Sequence, residues 1–286
     1  MPIFSTPTPI SASIEIAMGD IRVIASERTD TVVDVTPSNA STEADVRAAE
    51  QTRVEFADGR LRVVGPKRRV VGPSKKSGSI EVTLEVPTTS HLDAATSLGW
   101  VQSAGRLGEC RIRTSAGDIR LQDASGVDLN TGIGAIEVDS ASGAALCTTG
   151  SGPVRVAEID GAAHVKNSNG DTWLGEVRGD LRVKAANGDI SVDRARADVS
   201  AATANGTIRV GCVERGTVEL KTAAGPIEVG IRTGTAARLE LRTSFGDVRN
   251  HLDATDRPEP AETTVDVHAQ TGYGDIVVRR AQTDES

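Results

Sequence analysis

The chain has 286 residues and a formal net charge of −8, and this acidic balance argues against a nucleic-acid surface because phosphate binding depends on clustered lysines and arginines. Aromatic residues make up only 2% of the chain, whereas glycine is frequent at 29 residues, so we expect a thin, regular core of small aliphatic side chains. No stretch approaches the ~20 apolar residues that a helix needs to cross a bilayer, which argues against a membrane-spanning helix.

The N-terminus predicts a cytoplasmic protein. Met1 to Pro9 contain no Lys or Arg and no long apolar run, whereas a signal peptide has both. The cysteines, Cys110, Cys147 and Cys212, are widely spaced and form no C-x-x-C pair. We therefore expect them to be reduced and mostly buried, as small hydrophobic residues of a cytoplasmic protein.

Residues 1–98 show no regular repeat, and we interpret them as a β-rich N-terminal cap or extension. One short helix is predicted at 41–51, because Ser41 can cap it and the residues that follow tolerate a helix. Basic side chains at 67–69 and 75–76 lie among Gly and Pro and are expected to form a solvated loop. The other elements predicted here are a hairpin from Ser11 to Ile24 that turns at Gly19, a strand from Thr31 to Thr36, and a hairpin from Arg53 to Val64 that turns at Asp58 and Gly59.

A unit of about 18 residues recurs across residues 99–250, and such a period is typical of a solenoid. Each copy contains one glycine, here called the corner glycine, which is followed by alternating polar and apolar residues. Successive corner glycines are 17, 18, 18, 18, 18 and 19 residues apart. They are Gly117, Gly134, Gly152, Gly170, Gly188, Gly206 and Gly225, and looser copies follow at Gly246 and Gly274.

The alternation around each corner glycine is typical of short strands with one buried face. After Gly188, for example, Ile190 and Val192 are apolar and Ser191 between them is polar, while Val183 lies five residues before the glycine. Equivalent residues recur one coil later and are expected to stack. We therefore predict an all-β fold, namely a single-stranded β-helix or β-solenoid of about 18 residues per turn, with a β-rich N-terminal cap that contains one short helix.

The corners themselves are predicted to stack at the strand spacing of about 4.8 Å. Glycine is favoured at such a corner because it tolerates a positive φ. Amide side chains that precede successive corners would then form a hydrogen-bonded ladder. We interpret this ladder as structural, with ligand binding as the alternative. Its predicted members are Asn169, Asn187 and Asn205, together with Gly170, Gly188 and Gly206.

The C-terminal part of the chain departs from the repeat. Two prolines, Pro258 and Pro260, lie within residues 251–262, which are predicted to form a loop. Strands within 263–280 are expected to close the stack, and 281–286 to form a disordered tail.

Trp173 is the large aromatic residue at an outward position of the regular copies, where other copies carry charged or polar residues. Arg155 and Ser191 flank it in the preceding and following coils. Exposed tryptophans often anchor partner proteins, so Trp173 and Arg155 are the candidate partner-binding residues. The alternative is that Trp173 packs beneath the cap or a long loop.

No catalytic, cofactor-binding or metal-binding residue is predicted. Asp follows several corner glycines, but Ala135 and Pro153 interrupt the column. We therefore expect these aspartates to accept local backbone hydrogen bonds at turns rather than to bind calcium. The outward Glu137 and Glu228 are several turns apart, which does not suit hydrolysis by paired carboxylates.

Two segments, Lys166 to Val177 and Ala49 to Gly59, resemble a bacterial β-strand-repeat family of "putative adhesins" of unknown function, and in particular its actinobacterial, signal-less branch. The resemblance covers nearly the whole chain. It implies a single-stranded, right-handed β-helix, and it implies no catalytic residues.

Together these features favour a non-enzymatic structural or protein-interaction scaffold that binds an unknown protein partner or itself. End-to-end polymerisation is one variant, and it would need an uncapped terminal coil. The alternative class is an exported adhesin or a carbohydrate-active β-helix enzyme. An aromatic-lined groove with close carboxylates would favour the enzyme.

Overall fold

The chain is described by a computed structural model over residues 1–66, 78–252 and 263–281. The predicted basic loop lies outside the described residues, as do most of the predicted loop at 251–262 and most of the predicted tail.

Internal contacts divide the chain into two compact units, Met1–Ser142 and Gly143–Ser286. Each unit is a β-solenoid, and the fold class predicted from the repeat is thereby confirmed. The boundary predicted between a cap at 1–98 and a solenoid from residue 99 stays a prediction.

The first unit contains strands β1 to β11 and helix α1. In chain order these are β1 Ile3–Ser5, β2 Ser11–Ser26, β3 Asp30–Pro37, α1 Glu43–Gln51, β4 Arg53–Ala57, β5 Arg60–Val64, β6 Ile80–Pro87, β7 His91–Leu98, β8 Val101–Ala104, β9 Arg106–Ala116, β10 Ile119–Ile133 and β11 Ile136–Ala141.

Strand β2 is the central strand of the first unit, and the predicted hairpin from Ser11 to Ile24 is wrong. The segment is one strand bent at Gly19, whose φ is 128°. Strands β5 and β6 pair with it in parallel on one side, and β7 and β8 pair with it in parallel on the other. Gly19 is thus a corner glycine. The residues after it, Asp20 to Val23, follow the same pattern as those after Gly117.

Antiparallel strands end the parallel stack of the first unit. Strand β3 pairs antiparallel with β6, β4 with β5, and β1 with β3. The predicted strand from Thr31 to Thr36 and the hairpin that turns at Asp58 and Gly59 are confirmed. Both turn residues have positive φ values, 49° and 71°, as the tight turns that suit the twist of paired strands require.

Helix α1 begins at Glu43, and Thr42 is its N-cap without a side-chain capping hydrogen bond. The prediction that Ser41 caps the helix is therefore wrong. Asp45 on the first turn accepts a hydrogen bond from the backbone N–H of Ser79 at 2.9 Å, and Ala48 is buried. The start of the helix is therefore held by its contacts with Ser79 and with the core rather than by a side-chain cap.

The second unit contains strands β12 to β25. They are β12 Ala145–Ser151, β13 Val154–Ile159, β14 Ala163–Asn169, β15 Thr172–Val177, β16 Leu181–Asn187, β17 Ile190–Ala195, β18 Val199–Asn205, β19 Ile208–Val213, β20 Gly216–Ala224, β21 Ile227–Ile231, β22 Thr235–Phe245, β23 Val248–Asn250, β24 Thr263–Tyr273 and β25 Ile276–Arg280.

Successive coils of the second unit stack in the predicted register. Ile190 pairs with Ile208, and Val183 pairs with Ala201 in the parallel ladders of β17–β19 and β16–β18. Both isoleucines are fully buried. Each coil therefore adds inward-facing aliphatic side chains to a narrow apolar interior, as the alternation predicts.

The last strands of the chain do not close the second unit, contrary to the prediction for 263–280. Strand β24 pairs in parallel with β20 on one side and with β22 on the other, and β25 likewise lies between β21 and β23. The coil formed by β22 and β23 is therefore the outer coil, although it comes earlier in the chain. The inward-facing side chains of the inner strand β24 are well buried, since Val265 and Val267 are 1% and 0% exposed.

Candidate partner-binding groove at Trp173

Trp173 lies on β15, in register with Arg155 on β13 and Ser191 on β17. Its side chain is 37% exposed, and the indole Nε1 donates a hydrogen bond to Asp193 Oδ1 at 3.3 Å. Because Ser191 is small, the indole can extend over the next coil to reach Asp193. The ring is thus oriented and remains open to solvent on one side.

Small residues form the floor of a groove beside the indole. Ala157, Gly175 and Gly211 each come five residues after a corner glycine and line this groove. A Cβ atom on Gly175 would lie only 2.3 Å from the carbonyl oxygen of Ala157, so this position has no room for a side chain. The resulting groove has a volume of about 810 Å³.

A row of ion pairs forms the wall opposite Trp173. Glu176 Oε1 lies 2.7 Å from Arg196 Nε and 3.2 Å from Arg178 Nε. Glu214 continues the row, 3.7 Å from Arg196 and 3.3 Å from Arg232. The contact of Glu176 with Arg196 is an ion pair rather than an aligned hydrogen bond, since neither atom has a hydrogen-bond partner of good geometry.

The groove therefore presents both signs of charge next to one aromatic ring. The carboxylates of Glu176 and Glu214 are only 22% and 19% exposed. They pair with arginines from neighbouring coils, so each charge is partly neutralised before any ligand arrives. Such a surface suits a partner that carries an apolar side chain together with charges of both signs.

Cys212 also lines the groove and lies half-buried. Burial is the main cause that raises the pKa of its thiol. Burial likewise raises the pKa of Cys110 to about 12. Both sulfur atoms are therefore protonated at neutral pH, and a protonated thiol is a weak nucleophile.

The asparagines of the predicted ladder lie together at the corners of the second unit. Asn187 donates from Nδ2 to Asn169 Oδ1 at 2.9 Å, and Asn205 donates to Asn187 Oδ1 at 2.9 Å. All three side chains are exposed. The glycines that follow them, Gly170, Gly188 and Gly206, have φ values of 137°, 132° and 145°.

The aspartates after the corner glycines bond differently from the prediction of local turn hydrogen bonds. Asp171 Oδ1 accepts from the backbone N–H of Asp189 at 3.0 Å, and Asp189 Oδ1 accepts from Thr207 N–H at 2.7 Å. Each acceptor thus binds the next coil, 18 residues away. Within the described ranges, no three His, Cys, Asp or Glu side chains are grouped to hold a metal ion.

Sequence reasoning identified Trp173 but missed the residues that surround it. Asp193, Glu176 and Glu214 come from successive coils and are unremarkable along the chain. A signal was present for Asp193, which is the one charged residue in a column whose neighbouring members, five positions after their corner glycines, are Ala157, Gly175 and Gly211. Arg155, the second predicted residue, lies in the Trp173 column but does not line the groove.

His164 gives a pH-dependent prediction. Burial lowers its pKa below the ordinary value of 6.5, and Lys166, Arg182 and Lys184 lower it further. Below pH 6.5 the unfolded chain therefore binds a proton that the folded chain resists. We expect the free energy of unfolding to fall as the pH drops through this range, and to fall less in His164→Gln.

Urea titrations of the wild type and of His164→Gln across that pH range would measure this difference. If the free energy of unfolding depended equally on pH in the two proteins, the pH effect could not be assigned to His164.

No helix in the described parts of the chain has the length and apolar character needed to cross a membrane.

Comparison with known proteins gives a family and several distant structural neighbours. The model of the family described as Toastrack DUF4097 matches residues 14–276. The chain is similar to a "putative adhesin" from Bacteroides fragilis NCTC 9343, with 12% identity, coverage of 97% of this chain and 95% of the other, and a TM-score of 0.34. It is also similar to a "putative cell adhesion protein" from Clostridium sporogenes ATCC 15579, with 9% identity, 98% coverage of both chains and a TM-score of 0.25.

No curated protein is detectably similar to this sequence. The structural neighbours are too distant to indicate what this chain binds. The family match spans most of the chain and confirms the resemblance to a β-strand-repeat family of unknown function. The protein therefore belongs to the Toastrack DUF4097 family.

Proposed function

We propose that this protein is a non-enzymatic scaffold that binds a protein partner in the groove beside Trp173. The observation that carries the proposal is the indole itself, which is 37% exposed and held by Asp193 at 3.3 Å. A tryptophan of fixed orientation at the rim of a groove loses little conformational freedom on binding, and tryptophans are enriched among the residues that dominate binding energy.

The ion-pair wall supports a protein partner over an apolar small molecule. Glu176, Arg196 and Glu214 keep charges of both signs at the groove. A partner protein can place its own charged side chains opposite those of the groove, and this electrostatic complementarity favours specific partners. Cytoplasmic location is part of the proposal. Cys110 and Cys212 carry free thiols rather than a disulfide, which suits a reducing compartment, and cell fractionation would test this location.

We expect Trp173→Ala to weaken partner binding by about ten-fold or more, because truncation of a tryptophan that anchors a partner removes its contact area. The partner would first be captured from host lysate with the wild-type protein, then purified and titrated against both proteins by calorimetry. Lys184→Ala is a matched control, since Lys184 is exposed on β16 away from the groove. A captured partner that binds Trp173→Ala as tightly as the wild type would overturn the proposal.

The alternative is an exported adhesin or a carbohydrate-active enzyme that uses the same groove. Glu158, Glu176 and Asp193 all line it, and paired carboxylates are the usual catalysts of glycoside hydrolysis. Glu176 is already paired with two arginines, which favours a binding surface over a catalytic pair. Release of reducing sugars from host polysaccharides by the wild type, and its loss in Glu176→Gln, would favour the enzyme instead.

A further inference from the structure

The outer coil of the second unit leaves one long strand edge open. Strand β22 runs over Thr235–Phe245 and pairs with β24 along its inner edge. Within residues 143–252 and 263–281, no strand pairs with its other edge. An unpaired edge of this length presents free backbone donors and acceptors, and natural sheets usually shorten, cover or interrupt such an edge.

The apolar interior is also incompletely covered at this coil. Leu239 and Leu241 point inward from β22 but are only half-buried, and Val248 on β23 is 46% exposed. One coil further in, Val267 and Ala269 are 0% and 2% exposed. The outer coil thus has the inward-facing residues of an internal coil, and no further strand covers them within the parts of the second unit that the structure describes.

The outward side chains of β22 carry a self-complementary charge pattern. Arg238, Glu240 and Arg242 alternate along the strand and are 84%, 48% and 73% exposed. Glu240 already lies 2.5 Å from Arg242 and 3.0 Å from His268 on β24. If a second β22 ran antiparallel about a two-fold axis at Leu241, Glu240 of each copy would face Arg242 of the other.

A two-fold axis at Leu239 would give an equally favourable pattern, with Glu240 facing Arg238 of the other copy. In both registers opposite charges face each other, which stabilises a strand pair, whereas like charges would destabilise it. Both registers also keep Leu239 and Leu241 of the two copies on the same face of the shared sheet.

We propose that a second copy of this chain docks on β22 by antiparallel strand pairing and forms a closed homodimer. Each copy uses the same edge, so the contact is isologous and is complete with two copies. The assembly therefore ends at a dimer, in contrast to the end-to-end polymer considered from the sequence. This surface is separate from the Trp173 groove, so either proposal can fail without the other.

The test uses the full chain and measures its mass by size-exclusion chromatography with light scattering. The wild type is expected to have twice the 29.8 kDa chain mass. Glu240→Arg puts like charges opposite each other in both registers and is expected to give monomers. Arg242→Glu does the same in the register centred on Leu241. Circular dichroism would verify that each variant is folded.

An equimolar mixture of the two variants is the decisive sample. In the register centred on Leu241, Arg at 240 faces Glu at 242 of the other variant, so the mixture is expected to recover the dimer mass. In the register centred on Leu239, Arg238→Glu takes the place of Arg242→Glu and gives the same recovery. Only direct pairing of two β22 strands predicts that two variants that are monomeric alone form a dimer together.

Several outcomes would overturn the proposal. They are a monomeric wild type at every concentration tested, a Glu240→Arg variant that remains dimeric, failure of both mixtures to recover the dimer, and species whose mass continues to grow beyond two copies.

Discussion

Gly206→Ala is expected to destabilise the second unit by at least about 3 kcal/mol, among the largest effects of a single substitution. A Cβ atom at this corner would lie 2.1 Å from the carbonyl oxygen of Gly188 in the preceding coil. The φ of 145° adds strain for any residue with a side chain. The two coils would have to separate at the corner, and the hydrogen bonds of their neighbouring strands would lengthen.

Gly234→Ala is the matched control, because Gly234 also has a positive φ, 81°, but a Cβ atom there would meet nothing within 4 Å. We expect this substitution to lower the free energy of unfolding by about 1–2 kcal/mol, which is the cost of a positive φ for a residue with a Cβ atom. Urea unfolding would be followed by the fluorescence of Trp173 in a Trp100→Phe background, so that the second unit alone is observed. Equal losses in the two variants would show that close approach of the coils does not matter.

The repeat was predictable from sequence because each coil repeats the environment of the coil before it. A position such as Ile190 meets Ile208 in the next coil, so the same selection for an inward aliphatic side chain acts every 18 residues. That periodicity gave the fold class. It also indicated the corners, where glycine is required by the backbone.

The first unit shows where this reasoning stops. Residues Gly19 to Val23 carry the corner pattern and form a coil that stacks on β7 and β8. The next corner glycine, Gly99, comes 80 residues later, so no 18-residue period marks Gly19 as a corner. The chain inserts β3 to β6 and α1 between two coils that are neighbours in space, and spacing along the sequence cannot show this.

The order of the last coils was hidden for a related reason. Strands β22 and β24 carry equivalent residues in register, such as Thr243 and Thr271, so either could have followed β20. Spacing and alternation along the sequence therefore do not distinguish the two orders.

The candidate groove was only partly predictable. Trp173 stood out because it replaces a charged or polar residue within its column. Its partners Asp193 and Glu176 did not, since charged residues are common at outward positions of a solenoid. Asp193 lies between Gly175 and Gly211 in one column and lines the groove with them, so the groove is a property of three neighbouring coils.

Leu220→Ala is expected to destabilise the second unit by roughly 3–5 kcal/mol, near the upper end for leucine truncation in a core. Leu220 is fully buried, and its neighbours in the adjacent coils are alanines, Ala201 and Ala269. Neither neighbour can extend into the space that the leucine leaves. The cavity therefore stays open, and the contacts along its lining are lost.

Leu241→Ala is the informative comparison, because Leu241 occupies the same column on the far side of Ala269 but is only half-buried. In a monomer its truncation should lower the free energy of unfolding by less than about 2 kcal/mol, since a half-buried leucine loses less buried apolar surface than a fully buried one.

In the proposed dimer, Leu241 lies at the two-fold axis or next to it, so its truncation would also weaken association. The apparent loss of stability would then grow with protein concentration, whereas the loss for Leu220→Ala would be nearly the same at every concentration. Urea titrations of both variants at several concentrations would separate the two cases, and a loss for Leu241→Ala that is small and independent of concentration would indicate that the edge of β22 remains open in solution.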